Sequence, residues 1–189
     1  DLDDPAQVQE FVSHAYYDYT GGKARGLHPY DGETDLNYTG PAPPFTQLDV
    51  ERDYSWMKSP RWRGKVVEVR PLARLLMLVA TGHEQARELV ERTLATLELP
   101  EAALYSTLGR TAARTLETKI FADAMQGWYE QLVANIRAGD TRTFNDRLWD
   151  PGTWPRQARG AGFMEAPRGA LGHWIVIEDG KIANYQAVV

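Results

Sequence analysis

The chain has 189 residues, a formal net charge of −5 and no cysteine. The negative charge argues against nonspecific binding to nucleic acid or to an anionic membrane, and the missing cysteine excludes disulfides and thiolate metal ligands within these residues. Hydrophobic residues make up 43% and charged residues 25%, as in ordinary soluble proteins, with no apolar run that could span a bilayer and no signal-peptide pattern at the start.

The first predicted element is a helix. Asp4 is a suitable N-cap, and Pro5 fits the first turn. The apolar residues that follow share one helical face: Val8, Phe11, Val12 and Ala15. Gly21-Gly22 predicts the end of this helix. Residues 23–55 are rich in Gly, Pro, Asp and Tyr and predict a long irregular segment, which in a compact domain is usually functional or packed against another segment.

The stretch 54–64 interleaves tryptophans with basic residues. Such a pattern fits a nucleic-acid patch, but the acidic balance of the chain disfavours that interpretation. Stacking of Trp and Arg side chains beneath a long loop is the more common outcome. Lys65 to Val69 is a candidate for a short strand.

Several helices are predicted next. Pro71 opens one, and Thr81 and Glu84 have the spacing of a capping box that begins a second. The longest helix is predicted over 101–138, because apolar residues recur at every fourth position on a broad face that should form the core of the fold. Gly139 ends it, Asp140 caps a short helix through Leu148, and residues 149–163 return to an irregular loop.

The final segment, from His173 to Val189, predicts a β-hairpin that turns at Asp179-Gly180. A two-residue turn of this composition favours the type I′ conformation. Counting outward from the turn predicts the cross-strand pairs: Glu178 with Lys181, Ile177 with Ile182, Val176 with Ala183, Trp174 with Tyr185, and His173 with Gln186.

Just before this hairpin, Arg168 lies between Pro167 and Gly169. The proline ring stiffens the backbone, and the glycine permits a turn or a close approach. Arg168 therefore carries a permanent charge and a rigid fork of donors on a stiff loop. It is either a structural partner of Glu165 or a functional cation.

Three motifs in register resemble the large subunit of [NiFe] hydrogenases, and the similarity is greatest to the membrane-associated uptake type. The first contains Tyr54-Ser55-Trp56, Pro60-Arg61 and Glu68-Val69-Arg70-Pro71-Leu72-Ala73-Arg74. The second is Ser106-Thr107-Leu108-Gly109-Arg110-Thr111-Ala112-Ala113-Arg114. The third contains Glu165-Ala166-Pro167-Arg168-Gly169, Gly172-His173-Trp174 and Asn184-Tyr185-Gln186. The resemblance covers essentially the whole chain.

The resemblance implies a mainly α (α+β) fold, with a long-helix core and a small antiparallel hairpin at the C-terminus. Residues 1–189 would form a single fragment, internal to C-proximal, because the two Cys-x-x-Cys motifs of the family are absent. The Pro-Ser/Thr-Thr-Trp-Asn run that the family has after the position of Val189 is also absent. Arg70 stands where the family usually has glycine, which predicts a disturbed backbone turn if that glycine needs a positive φ.

The resemblance also implies site residues and partners. Arg168 matches the arginine that in the family lies over the open side of the nickel–iron centre and contacts a cyanide ligand of the iron, and Pro167 would line the same wall. Ala187 matches a position whose backbone carbonyl binds magnesium. The complete subunit would hold a Ni-Fe(CN)2(CO) centre and magnesium, oxidise H2, and pass electrons to an iron–sulfur small subunit and indirectly to a membrane cytochrome b, at the periplasmic face. This chain alone would hold neither nickel nor iron and would be inactive.

Two alternatives remain open at the level of sequence. One is a non-catalytic scaffold, similar to the hydrogenase-like subunit of respiratory complexes that has lost the metal. The other is a helical interaction module, whose apolar stripes would form a docking surface.

Overall fold

The computed structural model describes residues 4, 6–44, 51–147 and 149–188. In this part of the chain, about 37% of the structure is helical and 24% is strand, in three α-helices and three small antiparallel sheets. The fold is therefore mixed α/β, and the expectation of a mainly α chain is overstated. No helix within the described ranges combines the length and apolar character needed to cross a membrane.

Contacts divide the chain into two compact units. The strand unit comprises Asp1–Val67, Trp154–Ala166 and Ala170–Val189. The helical unit comprises Glu68–Thr153 together with the short segment Pro167–Gly169.

The helical unit contains α1 (Pro71–Ala80), α2 (Glu84–Thr96) and α3 (Thr107–Arg137). Pro71 occupies the first turn of α1, as predicted, because a proline there gives up only an N–H that the helix cannot use. Buried side chains from all three helices, and from the 3-10 turn just before α3, form one core: Leu72, Leu75, Ala86, Leu89, Val90, Leu104, Ala113 and Ile120.

The start of α2 differs from the predicted capping box. Thr81 ends α1, with its N–H bonded to the Met77 carbonyl. The N-cap of α2 is His83, whose Nδ1 accepts the Ala86 N–H at 3.2 Å. A neutral imidazole nitrogen can accept this bond as a Thr hydroxyl would. Because Thr81 still belongs to the end of α1, the N-cap of α2 lies two residues later than predicted.

The long helix is confirmed, although α3 begins later than predicted. A 3-10 turn over Glu101–Tyr105 precedes it, and the Ser106 Oγ caps its first turn by accepting the Gly109 N–H at 3.0 Å. Only the first half of α3 contributes buried residues to the core. From residue 121 onward, most of the large apolar side chains are exposed: Phe121, Met125, Trp128, Tyr129, Leu132 and Ile136. The expectation that this whole helix forms the core is therefore wrong.

Gly139 follows α3 with φ +81°, as expected for a residue that ends a helix. The short helix predicted from Asp140 is not formed over 140–147, and Leu148 lies outside the described residues.

The strand unit begins with a strand where a helix was expected. β1 (Val8–Phe11) pairs antiparallel with β4 (Ser59–Trp62). Val8, Glu10 and Val12 are buried, and this alternation has the period of a strand; the same stretch also satisfied the helical spacing. The candidate strand from Lys65 to Val69 is likewise not formed, and the strand falls just before it.

Two further short strands, β2 (Tyr17–Asp18) and β3 (Asp35–Leu36), pair with each other. The remaining three, β5 (Ala158–Ala166), β6 (Gly169–Glu178) and β7 (Lys181–Val188), form one sheet in that order. The prediction of an irregular loop over 149–163 missed β5, whose residues are mostly exposed and lack apolar alternation.

The hairpin between β6 and β7 turns at Asp179-Gly180, as predicted. Both residues have positive φ, +50° and +74°, which matches a type I′ turn. The pairs nearest the turn, Glu178 with Lys181 and Ile177 with Ile182, are also confirmed.

Beyond those two pairs, a bulge between Val176 and Ile177 shifts the register by one residue. Three predicted pairs are therefore wrong. The observed pairs are Val176 with Asn184, Trp174 with Gln186, and His173 with Ala187. The shift lets the Asn184 side chain donate to the carbonyls of Tyr30 and Gly32, at 2.9 and 3.0 Å. Hydrogen bonds of partly buried amides thus set the register here, rather than turn geometry alone.

One carboxyl group of the strand unit is buried without an evident function. Glu10 is 2% exposed, and its Oε2 has no hydrogen-bond partner among the described residues. Burial raises the pKa of Glu10 to about 7, and the positive charge of Lys58 only partly opposes this shift. The folded chain therefore holds this proton more tightly than the unfolded chain does.

We expect the free energy of unfolding to fall as the pH rises from about 5 to about 8, because Glu10 ionises near 4.5 when unfolded and near 7 when folded. The full shift corresponds to about 3 kcal/mol. Glu10→Gln should remove most of this fall, which urea unfolding at the two pH values would measure. Glu178→Gln, at an exposed position on β6, should keep the wild-type pH dependence. An unchanged pH dependence in Glu10→Gln would contradict the assignment.

Candidate functional site

The candidate site is the tight turn between β5 and β6, formed by Pro167-Arg168. A two-residue connection makes the two strands antiparallel. Gly169 follows with φ +156°, and a Cβ placed there would lie 2.5 Å from the Val69 carbonyl oxygen. The turn thus packs directly against the backbone that leads into α1, and only glycine fits at position 169.

A largely buried ion pair contacts the other side of the turn. Arg74 on α1 donates to both carboxylate oxygens of Glu117 on α3, and the distance from Arg74 Nη2 to Glu117 Oε2 is 2.9 Å. The same Nη2 donates to the Pro167 carbonyl at 3.2 Å. The side chains of Arg74 and Glu117 are only 14% and 8% exposed, so the guanidinium fork joins α1, α3 and the turn in a largely water-excluded position.

Arg168 itself is exposed. Within the described part of the chain, its guanidinium has neither a hydrogen bond nor an ion pair, so its donors are available to a ligand. The group stays charged at any working pH. The turn therefore presents one permanent cation on a backbone that is tied on both sides, an arrangement suited to an anionic ligand or to charge that develops during a reaction.

Ala187, the third predicted site residue, lies near the end of β7 in the strand unit, opposite His173. It is exposed, and the neighbouring His173 Nδ1 contacts the Tyr185 hydroxyl. The structure thus brings Pro167 and Arg168 together in one turn, whereas Ala187 belongs to the other unit.

Arg70 does not disturb the backbone as the sequence suggested. Its φ is −99° and its ψ is −175°, which is ordinary extended conformation. A side chain is accommodated at this position without strain.

The donor set of the chain does not fit a nickel–iron centre. The resemblance implies that soft thiolate ligands hold this centre, and the sequence contains no cysteine. Across the described ranges, no group of three or more His, Cys, Asp or Glu side chains could hold a metal ion. The residues present supply charge and shape but no thiolate.

Sequence reasoning missed the contribution of Arg74 and Glu117. In the sequence, Arg74 stands out only as the last residue of the first motif. Glu117 is four residues after Ala113 and three before Ile120, both buried on α3, so it is a charged residue on the buried stripe of a helix. Such a carboxylate requires a partner, and this was the available signal.

The family model described as nickel-dependent hydrogenase matches residues 1–189. The uptake hydrogenase large subunit of Rhodobacter capsulatus is 49% identical over 195 residues, which cover 100% of this chain and 32% of that protein. Hydrogenase-1 large chain of Escherichia coli is 46% identical, with 100% and 32% covered.

Solved structures agree with the sequence relatives. The Ni-Fe-Se hydrogenase from D. vulgaris Hildenborough in the reduced state superposes with a TM-score of 0.67 at 26% identity, over 98% of this chain and 35% of that one. The reduced, active Ni-Fe-Se hydrogenase from Desulfomicrobium baculatum gives 0.62 at 29% identity, over 98% and 34%. The chain spans about a third of the length of the curated relatives it matches, and it belongs to the nickel-dependent hydrogenase family.

Proposed function

We propose that the chain is part of the catalytic large subunit of a [NiFe] uptake hydrogenase, which oxidises H2 to protons and electrons and passes the electrons to an iron–sulfur small subunit. The observation that carries the proposal is the Arg168 turn, in which an exposed, permanently charged guanidinium projects from a backbone fixed by Arg74 and Gly169. The family match over the whole chain supplies the reaction class.

In this proposal Arg168 acts as a fixed cation beside anionic diatomic ligands of the metal centre. A guanidinium does not lose its proton at working pH, so its contribution is electrostatic stabilisation and orientation rather than ordinary proton shuttling. Pro167 contributes shape, because its ring has no N–H and restricts φ. The metal ligands would come from parts of the complete subunit outside these 189 residues, since this chain has no thiolate.

Further features are proposed on the family match and the earlier motifs. The backbone carbonyl of Ala187 would be one ligand of a structural magnesium ion. The complete enzyme would associate with a membrane at its periplasmic face and deliver electrons indirectly to a cytochrome b. The exposed apolar half of α3 would be covered in the complete enzyme, because an exposed patch of this kind usually marks an interface.

That apolar surface is also the observation that favours a second candidate, a non-catalytic scaffold or interaction module. The coding sequence on both sides of this chain distinguishes the candidates. A catalytic subunit requires a Cys-x-x-Cys motif on each side, because these residues supply the thiolate ligands. An uninterrupted reading frame that lacks these cysteines would overturn the catalytic proposal and leave the scaffold.

We expect the 189-residue chain, produced alone, to bind no stoichiometric nickel or iron and to oxidise no hydrogen. The physical reason is the absence of thiolate ligands. Elemental analysis of the purified chain and a hydrogen-dependent dye-reduction assay would measure both properties. Stoichiometric nickel that resists a chelator would contradict the ligand argument.

A further inference from the structure

We infer that Arg74 is a positioning residue for Arg168, acting through the Pro167 carbonyl, and that Glu117 orients Arg74 for this role. The inference rests on the proposed function, in which the Arg168 guanidinium must be held at one place beside the metal centre. It assigns to Arg74 and Glu117 a role through the turn rather than through contact with the reacting atoms.

The geometry of Arg74 exceeds what an ion pair between two helices needs. Two of its nitrogens face the two oxygens of Glu117, and Nη2 also donates to the Pro167 carbonyl at 3.2 Å. A planar guanidinium can make these bonds at once because its donors lie in one rigid fork. A lysine offers a single nitrogen and cannot reproduce the arrangement.

Within the helical unit, the residues on both sides of Arg168 are held by contacts. Pro167, immediately before it, is bonded through its carbonyl to Arg74, and Gly169, immediately after it, lies against the Val69 carbonyl. Pro167 has no N–H, so its carbonyl is its only backbone hydrogen-bonding group. Loss of the Arg74 bond would release the Pro167 carbonyl from α1.

The competing explanation is that the ion pair only joins α1 to α3. A double substitution separates the two explanations: Arg74→Met with Glu117→Leu removes both buried charges and retains apolar volume between the helices. Replacing a whole buried pair in this way is often neutral or stabilising, whereas removing one partner leaves an uncompensated charge. The double variant therefore keeps an apolar contact between the helices and loses the Arg74 bond to the turn.

A matched control is available in the same unit. Arg110 on α3 pairs with Glu68, with Nη2 at 2.9 Å from Oε2, and among the described residues neither side chain bonds to Pro167–Gly169. Arg110→Met with Glu68→Leu removes an equal number of charges without touching the turn.

The experiment uses the complete large subunit purified with its small subunit, as wild type, double variant and control. Nickel content, kcat and KM for hydrogen oxidation per nickel, and hydrogen exchange of the amides at 169–172 are measured. We expect the double variant to bind nickel normally, to exchange these amides faster, and to lose about 10–100-fold in kcat with little change in KM. The control should match wild type in all four measurements.

A double variant with wild-type amide exchange and wild-type kcat would overturn the positioning role and leave the ion pair as a simple helix contact. Arg74→Lys provides a second test that does not depend on the double variant folding, and it should also release the turn, because lysine lacks the rigid fork that engages both Glu117 oxygens while Nη2 reaches the Pro167 carbonyl. If the wild-type enzyme oxidises no hydrogen, the proposed function fails, while the exchange comparison still decides whether Arg74 fixes the turn.

Discussion

Arg168→Lys in the complete subunit should lower hydrogen oxidation per bound nickel by about 10²–10³, the usual loss when one preorganised electrostatic group is removed from an active site. Lysine keeps the positive charge but loses the planar fork and moves the donor. Nickel content should not change, because Arg168 is not a thiolate ligand. Dye reduction under hydrogen, normalised to nickel by elemental analysis, measures the effect.

The matched control is Glu165→Gln, at an exposed position near the end of β5. If Arg168 only held the loop by pairing with Glu165, the glutamine variant would lose as much activity as the lysine variant, and both losses would be mild. We expect the glutamine variant to remain close to wild type. Full specific activity in Arg168→Lys would remove Arg168 from the catalytic residues.

Gly169→Ala should destabilise the chain more than any other single change proposed for the turn. The new Cβ would lie 2.5 Å from the Val69 carbonyl oxygen, which is backbone and cannot rotate away, at φ +156°. We expect a loss of about 3 kcal/mol or more, as for other substitutions that combine backbone strain with a steric clash. Urea unfolding of the chain measures this loss.

Gly160→Ala is the corresponding control on β5. A Cβ at Gly160 meets no atom within 4 Å, so its effect should stay within about 0.5 kcal/mol, as for surface substitutions in general. Equal stability of the two variants would show that the turn does not depend on close contact with Val69.

Much of the local structure could be predicted because its causes are local. Asp179-Gly180 forms its turn through residues that accept positive φ, and Pro71 starts α1 through its missing N–H. The strand at Val8 was missed because the same few apolar residues satisfy both a helical and a strand spacing. The bulge beside Val176 was missed because it depends on Asn184 reaching carbonyls 154 and 152 positions away in the chain.

In the candidate site, too, some residues could be predicted from their neighbours in sequence and others could not. Arg168 could be identified from its own neighbours, because Pro167 and Gly169 already predict a stiff turn. Arg74 could not, because its partners Glu117 and Pro167 lie 43 and 93 positions away. The exposure of Trp128 and Leu132 on α3 could not be predicted either, because the spacing of apolar residues along a helix does not show which segment packs against them.

Hydrogen-dependent dye reduction by the complete large subunit, purified together with its iron–sulfur partner, tests the proposed function most directly. We expect one nickel per large subunit and dye reduction that requires hydrogen, at a rate typical of enzymes, about 1–10³ per second. A folded, nickel-loaded complex that reduces no dye under hydrogen would contradict the assignment of this chain to a catalytic hydrogenase.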